Sequence, residues 1–327
     1  MSRMGVGTMG RILVTGASGQ IGSELVPHLR SLYGQHNVLA TDIRQPAEES
    51  VDQGMYEPLD VTVKKRLEEL VNEYRIESIF HLAALLSASG EQNPGLAWRV
   101  NLEGLYNVLE VSRTHDIGKV FFPSSIAVFG PETPKNRTPQ YTVIRPRTMY
   151  GITKVTGELL CDYYFRRFGV DVRCVRYPGV ISSKTPPGGG TTDYAVEMFY
   201  SAVRSEPHVC FVRDDTTLPM MYMPDCIKAA VMLMEADSDA LIHRADYNLS
   251  SMSFSARELA EEIRRHIPDF RISYLPDFRQ VIADSWPSSI DDSYARIEWG
   301  WNHSYDLETM SKDMIEQLSK RLSRWSM

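Results

Sequence analysis

No stretch of this 327-residue chain approaches the roughly 18 uninterrupted apolar residues that a membrane-spanning helix needs. Met1 to Gly10 carry one charge, Arg3, and lack the apolar run of a secretory signal. No membrane is expected as a partner. Positive charge is not in excess either. With 42 acidic and 35 basic residues the formal net charge is −7, so no nucleic acid is expected as a partner. Cysteine is scarce: Cys161, Cys174, Cys210 and Cys226 form no C-x-x-C pair. That excludes the common zinc and dithiol redox motifs and suits inert thiols in a reducing compartment. No metal site is expected, and there is no internal repeat or low-complexity segment. The expected location is cytoplasmic, or the mitochondrial matrix if a transit peptide has been removed.

What is present points to a soluble globular protein, with 43% hydrophobic and 24% charged residues. The length fits one α/β core with a smaller appended region. Apolar runs at Arg11–Thr15, Asn37–Thr41, Met55–Leu59, Ser78–Leu82, Lys119–Pro123 and Asp171–Tyr177 read as buried strands. Between them, helical spacing predicts helices over residues 20–33, 63–74, 96–115 and 149–168. This alternation predicts an α/β fold with a doubly wound parallel sheet of Rossmann type, and ligands at the carboxyl ends of the strands. After Pro178 the pattern becomes irregular. Thr185-Pro-Pro-Gly-Gly-Gly190 is a loop, followed by helices near 192–203, 225–234 (with Asp225 as its cap), 255–266 and 307–322. The core is expected to span 10–180 plus about 225–250. Residues 181–224 and 251–327 are expected to form a small substrate-binding lobe.

Gly16-Ala-Ser-Gly19-Gln-Ile-Gly22 joins the first strand to the first helix. The first glycine permits the tight turn, the second lets backbone approach a pyrophosphate, and the third lets helix and strand pack closely. The helix start then offers amide groups and a favourable dipole to the phosphates. Asp42 ends the second strand 20 residues after Gly22, where a carboxylate accepts from the ribose hydroxyls of NAD and repels the extra phosphate of NADP. Arg44 softens that repulsion. Asp60, ending the third strand, suits a place beside the adenine or a plain turn.

Tyr150 and Lys154 are four apart on a predicted helix and face one way. Ser124 and Ser125 end the fifth strand. Oxidising an alcohol needs a base for the hydroxyl proton. Tyrosine becomes one when a nearby ammonium and a positive nicotinamide favour its phenolate. A strand-end serine would hold the substrate oxygen.

Jointly, Gly16-x-x-Gly19-x-x-Gly22, His81-Leu-Ala-Ala84, Asn101, Ser124-Ser125-x-x-Val128-Phe129-Gly130 and Tyr150-x-x-x-Lys154 resemble the extended short-chain dehydrogenase/reductases. That resemblance implies Tyr150 as base, Lys154 as its activator and ribose ligand, and Ser125, or Ser124 one register away, as the substrate-orienting hydroxyl. It also implies cofactor contacts from Ser18, Gln20, Ile21, Ile43 and Val61. Further contacts are implied from Leu82, Ala83, Ala84 and Asn101, and from Tyr177, Pro178, Gly179 and Ile181. His81 reads as a packed strand residue. The nucleotide-sugar enzymes of the family carry an asparagine after the sixth strand and a later arginine. Here those places read Tyr177-Pro-Gly-Val-Ile181 and Leu218-Pro-Met-Met-Tyr-Met-Pro-Asp225.

These replacements are similar to the short-chain type of L-threonine 3-dehydrogenase. So are Pro123-Ser-Ser-Ile-Ala-Val-Phe-Gly-Pro131, Thr185-Pro-Pro-Gly-Gly-Gly-Thr-Thr-Asp-Tyr-Ala195 and Ala283-Asp-Ser-Trp-Pro287. The resemblance implies NAD-dependent oxidation of L-threonine to 2-amino-3-oxobutyrate, a homodimer through the helices at 96–115 and 149–168, and 2-amino-3-oxobutyrate CoA ligase as pathway partner. Substrate contacts fall to Ser87, Ser125, Tyr150 and Gly179, and to Thr191, Thr192 and Trp286. The two threonines also suit a helix cap, and the tryptophan also suits plain packing. The competing readings are a nucleotide-sugar epimerase or reductase of the same fold and a non-catalytic NAD-binding redox sensor.

Overall fold

The computed structural model describes residues 9–45 and 54–323. Strand and helix alternate at first: β1 (Ile12–Thr15), α1 (Gly22–Tyr33), β2 (Val38–Asp42), β3 (Tyr56–Pro58), α2 (Lys64–Tyr74) and β4 (Ser78–His81). Two short helices, α3 (Ser87–Gln92) and α4 (Pro94–Trp98), lead through a wider π-helical turn at Arg99–Glu103 into α5 (Gly104–Thr114). The helix expected at 96–115 is therefore interrupted at its amino-terminal end. β5 (Lys119–Ser125), α6 (Met149–Phe168) and β6 (Val172–Tyr177) follow, and α6 runs to Gly169, whose positive φ of 75° closes it.

Beyond Pro178 come β7 (Gly179–Ile181), α7 (Tyr194–Val203), β8 (His208–Cys210), β9 (Thr217–Tyr222), α8 (Met223–Glu235) and β10 (Tyr247–Asn248). They are followed by β11 (Met252–Ser255), α9 (Ala256–His266), β12 (Ile272–Tyr274), α10 (Arg279–Ser285), α11 (Ser293–Trp299) and α12 (Leu307–Ser323). Ser255 and Glu258 form a reciprocal capping box at the start of α9. Asp225 is not the cap of α8. The helix begins two residues earlier with Pro224 in its first turn, where a missing N–H costs nothing. The Asp225 carboxylate instead accepts from the amides of Ser304 and Tyr305.

Seven strands form one parallel sheet in the order β10-β6-β5-β4-β1-β2-β3. The order reverses between β1 and β4, and a crevice for ligands opens at the carboxyl ends of these strands. Alternate residues of β1 serve opposite faces. Ile12 and Val14 pack with α1 and α8, and Leu13 packs with α2, α5 and α6. A third core joins α7, α9 and α12 to β9, β11 and the 126–129 turn. Ala295, Trp299 and Trp301 pack on the α1–α8 face of the sheet instead. The small sheet β11-β9-β7 links the two regions: β7 continues from β6 across Pro178 and pairs with β9.

Candidate active site

Tight backbone geometry shapes the turn between β1 and α1. Gly16 has φ +70°, and a Cβ there would lie 2.6 Å from the Ala83 nitrogen. A Cβ on Gly22 would overlap the Gly16 carbonyl oxygen, so only glycine lets α1 start this close to β1. A Cβ on Gly19 would meet only the Gly16 oxygen, at 3.2 Å, and otherwise project into open space. That space belongs to a cavity of about 800 Å³ across the carboxyl ends of the strands. Asp42 is buried at its rim. One carboxylate oxygen accepts from the Ser18 amide at 3.0 Å and the other from the Arg44 amide at 3.0 Å. The carboxylate thus ties the end of β2 to the glycine turn and is not a helix cap. Ser18, Gln20, Ile21, Ile43, Arg44, Asp60, Val61 and Leu82 to Ala84 also line this cavity. The Asp60 carboxylate accepts from the amide and hydroxyl of Thr62, which makes it a turn aspartate as well as a lining residue.

Tyr150 and Lys154 project from the first turns of α6 into the same cavity, next to Ser125, Tyr177, Pro178 and Gly179. Thr148 caps the helix by accepting from the Gly151 amide at 3.1 Å. The serine doublet divides between two environments, as adjacent strand residues must. Ser125 hydrogen-bonds Tyr150 and accepts from the Ala127 amide. Ser124 is 2% exposed and donates to Glu158 at 2.5 Å, so its hydroxyl is already committed. The Lys154 ammonium donates to the Pro123 carbonyl at 2.6 Å and lies 5.4 Å from the centre of the Tyr150 ring.

Burial sets the charge states. It pushes the Tyr150 phenol up to about 12, opposed by the Ser125 hydrogen bond. It brings Lys154 down to about 8, opposed by Cys174, Cys161 and Glu158. The lysine alone therefore does not offset the burial of the phenol. His81 is pushed down to about 3 by burial and by Lys154, and its Nδ1 lies 2.8 Å from the Thr15 hydroxyl. It is a neutral packed residue, as its strand position predicts.

Two positions expected at the cofactor do not border the cavity. The Asn101 side chain, in the π turn, accepts from the Leu85 amide and donates to the Leu85 carbonyl and the Thr153 hydroxyl. Those bonds use up its amide and make it a strut between the 85 loop and α6. Ile181, the last residue of β7, turns its side chain wholly into the core, and Val180 lines the cavity in its place.

The far wall is the 185–193 segment. Thr185 is bonded to Ser23 at 2.9 Å, one residue past the glycine turn. Gly189 and Gly190 donate their amides to Asp193, each at 2.8 Å. Thr191 and Thr192 lie in the turn before α7, which begins two residues later than the spacing suggests. The hydroxyls of Thr191 and Ser87 meet at 3.2 Å, and Trp286 closes the wall at 6% exposure.

A family model described as NAD dependent epimerase/dehydratase matches residues 12–250. This chain belongs to that family. Among its relatives, an uncharacterized epimerase/dehydratase of Staphylococcus haemolyticus is 52% identical, with 96% of this chain and 99% of that one covered. The solved L-threonine dehydrogenase of Clostridium difficile is 52% identical over 96% of this chain and 99% of its own, with a TM-score of 0.93. A monomeric L-threonine 3-dehydrogenase from a metagenome is 51% identical over 95% and 99%, with a TM-score of 0.92. The glycine turn fits the NAD of this epimerase/dehydratase family, because Gly19 leaves open the space a pyrophosphate would occupy.

Leu86, Ser89, Arg99, Val180 and Asp193 line the cavity as well, and the sequence reading passes over them. Only Asp193 carried a local signal: an acidic residue just before a helix, three and four residues after two glycines.

Proposed function

We propose that this family member oxidises L-threonine at its C3 hydroxyl to 2-amino-3-oxobutyrate with NAD. The observation that carries the reading is the character of the far wall. While Arg44, Arg99 and Lys154 line the cavity elsewhere, among the described residues Gly179 to Asp193 and Trp286 bring no lysine or arginine to it, only hydroxyls, glycines, prolines, Val180, the indole of Trp286 and one carboxylate. A nucleotide diphosphate held there would lack charge compensation, whereas a small hydroxy amino acid would not need it. Tyr150 accepts the hydroxyl proton, Ser125 holds the substrate oxygen, and Lys154 supplies positive charge and would hold the cofactor ribose. When bound, NAD would supply the hydride acceptor and a positive charge favouring the phenolate. NADH formation from NAD and a panel of 3-hydroxy amino acids and UDP-sugars tests this. Turnover of L-threonine is expected. Interconversion of a UDP-sugar with no threonine turnover would overturn it. A redox sensor has no need of Tyr150 or Lys154.

Two further results are expected. Asp42→Ala should weaken NAD and raise the relative use of NADP by about 10- to 100-fold, since charge-assisted hydrogen bonds to the ribose are lost. An unchanged ratio would leave Asp42 as a tie for the glycine turn only. Thr191→Ala should raise KM for threonine about threefold to tenfold, with KM for NAD nearly constant. Equal effects on both would remove Thr191 from the substrate site. Tyr106, Ile152, Leu159 and Tyr163 are exposed on α5 and α6. That apolar surface supports a homodimer, which light scattering decides.

A further inference from the structure

Asp193 is a buried carboxylate, 7% exposed, on the cavity wall formed by the 185–193 segment. Its carboxylate accepts from backbone amides, those of Gly189 and Gly190 at one oxygen, with Gly188 a third backbone partner, and no ion pair with it occurs among the described residues. The cation whose charge acts on it is Arg279. That guanidinium is engaged elsewhere, by Asp277 at 2.7 Å and by the Phe211 ring at 3.1 Å. Glu197, one turn further along α7, brings a second negative charge. Burial accordingly pushes the Asp193 carboxyl above its usual range. A buried carboxylate is normally paired, and this one lacks its cation.

Its place defines what the cation must be. Three carboxylates line the cavity among the described residues: Asp42, Asp60 and Asp193. The first two lie at the ends of β2 and β3, with the glycine turn. Asp193 lies two residues from Thr191, whose hydroxyl meets Ser87. Ser87 begins α3, and Gly90 in that helix packs beside Tyr150. Asp193 and the candidate base therefore line the same cavity, linked through Thr191, Ser87 and α3.

We infer that Asp193 is the group that recognises the ammonium of the amino-acid substrate and sets the preference for amino acids over simple hydroxy acids. This rests on the reading of the protein as a hydroxy-amino-acid dehydrogenase. The ammonium donates to the Asp193 oxygens and supplies the missing positive charge. The substrate carboxylate is then left to the neutral hydroxyls of Ser87, Thr191 and Thr192. An acid of the same shape without the ammonium would leave the buried carboxylate unpaired, which is the arrangement that gives the strongest discrimination.

The test compares L-threonine with (3R)-3-hydroxybutanoate, which keeps the carboxylate and the reacting hydroxyl but lacks the ammonium. In Asp193→Asn the side-chain oxygen can still accept the Gly189 and Gly190 amides, so the loop keeps its anchor while the charge is lost. The expected result is a fall of about 30-fold in kcat/KM for threonine with the value for hydroxybutanoate changed less than about threefold. Asp193→Glu, which moves the charge without removing it, should recover part of the preference. A parallel fall for both substrates, or a Glu variant no more selective than the Asn variant, would reduce Asp193 to a loop anchor and overturn the inference. Failure of the wild-type protein to oxidise threonine at all would instead remove the functional reading beneath it.

Discussion

Tyr150→Phe is expected to lower turnover with L-threonine at least about 100-fold and leave NAD affinity within about threefold. The substitution removes one hydroxyl and keeps the ring, whose centre lies 5.4 Å from the Lys154 ammonium. What disappears is the proposed proton acceptor at the cavity wall and the partner of Ser125. The fall should be in kcat and kcat/KM alike, because the lost interaction belongs to the transition state. Raising the pH should not rescue the variant. Near-normal turnover would mean that another group takes the proton. Ser125 has no base of its own among the described residues, and His81 is held neutral against Thr15.

The second large effect is on stability. Glu158→Ala should destabilise the protein by about 3–5 kcal/mol, seen as a melting temperature lower by about 6–12 °C. Glu158 and Arg176 form a bidentate pair at 2.9 and 2.8 Å, with Arg176 1% exposed, and Ser124 adds a third bond to the carboxylate. Removing the carboxylate leaves the guanidinium buried with Asn248 at 3.2 Å and Asp246 at 3.4 Å. Its net charge is then only partly met. The double variant Glu158→Leu with Arg176→Met removes both charges and should recover much of the loss, because the dominant cost is the stranded charge. A single variant that melts with the wild type, or a double variant worse than the sum of its parts, would show that the pair is not the source of the effect.

Much of the Rossmann half was legible because its signals are local. β1, β2, β4 and β5 are short apolar runs buried on both faces, and the glycine turn declares itself within seven residues. α6 matched its expected bounds because a threonine cap, a helical run and a terminal glycine coincide. The lobe was harder for the opposite reason. β7 is three residues long and pairs with β9 some 40 positions away, and β9 carries Pro219, which argues against a strand when read alone. The Ser124/Ser125 register needed to know where Glu158 packs. Asn101 belonged to a recognisable motif, but the π turn that directs its amide to Leu85 leaves no mark in residue spacing. Asp193 was hidden by its neighbours: two threonines before a helix read as the polar group, while the carboxylate behind them is the charged one.

The proposed reaction has one central event, transfer of the C3 hydride of threonine to NAD with Tyr150 taking the hydroxyl proton. Single-turnover oxidation of L-threonine deuterated at C3, followed by mass spectrometry of the cofactor, measures it directly. The predicted result is NADH carrying one deuterium, formed by the wild-type protein and suppressed in Tyr150→Phe. Cofactor that stays oxidised in the presence of threonine, or reduced cofactor without the label, would contradict it.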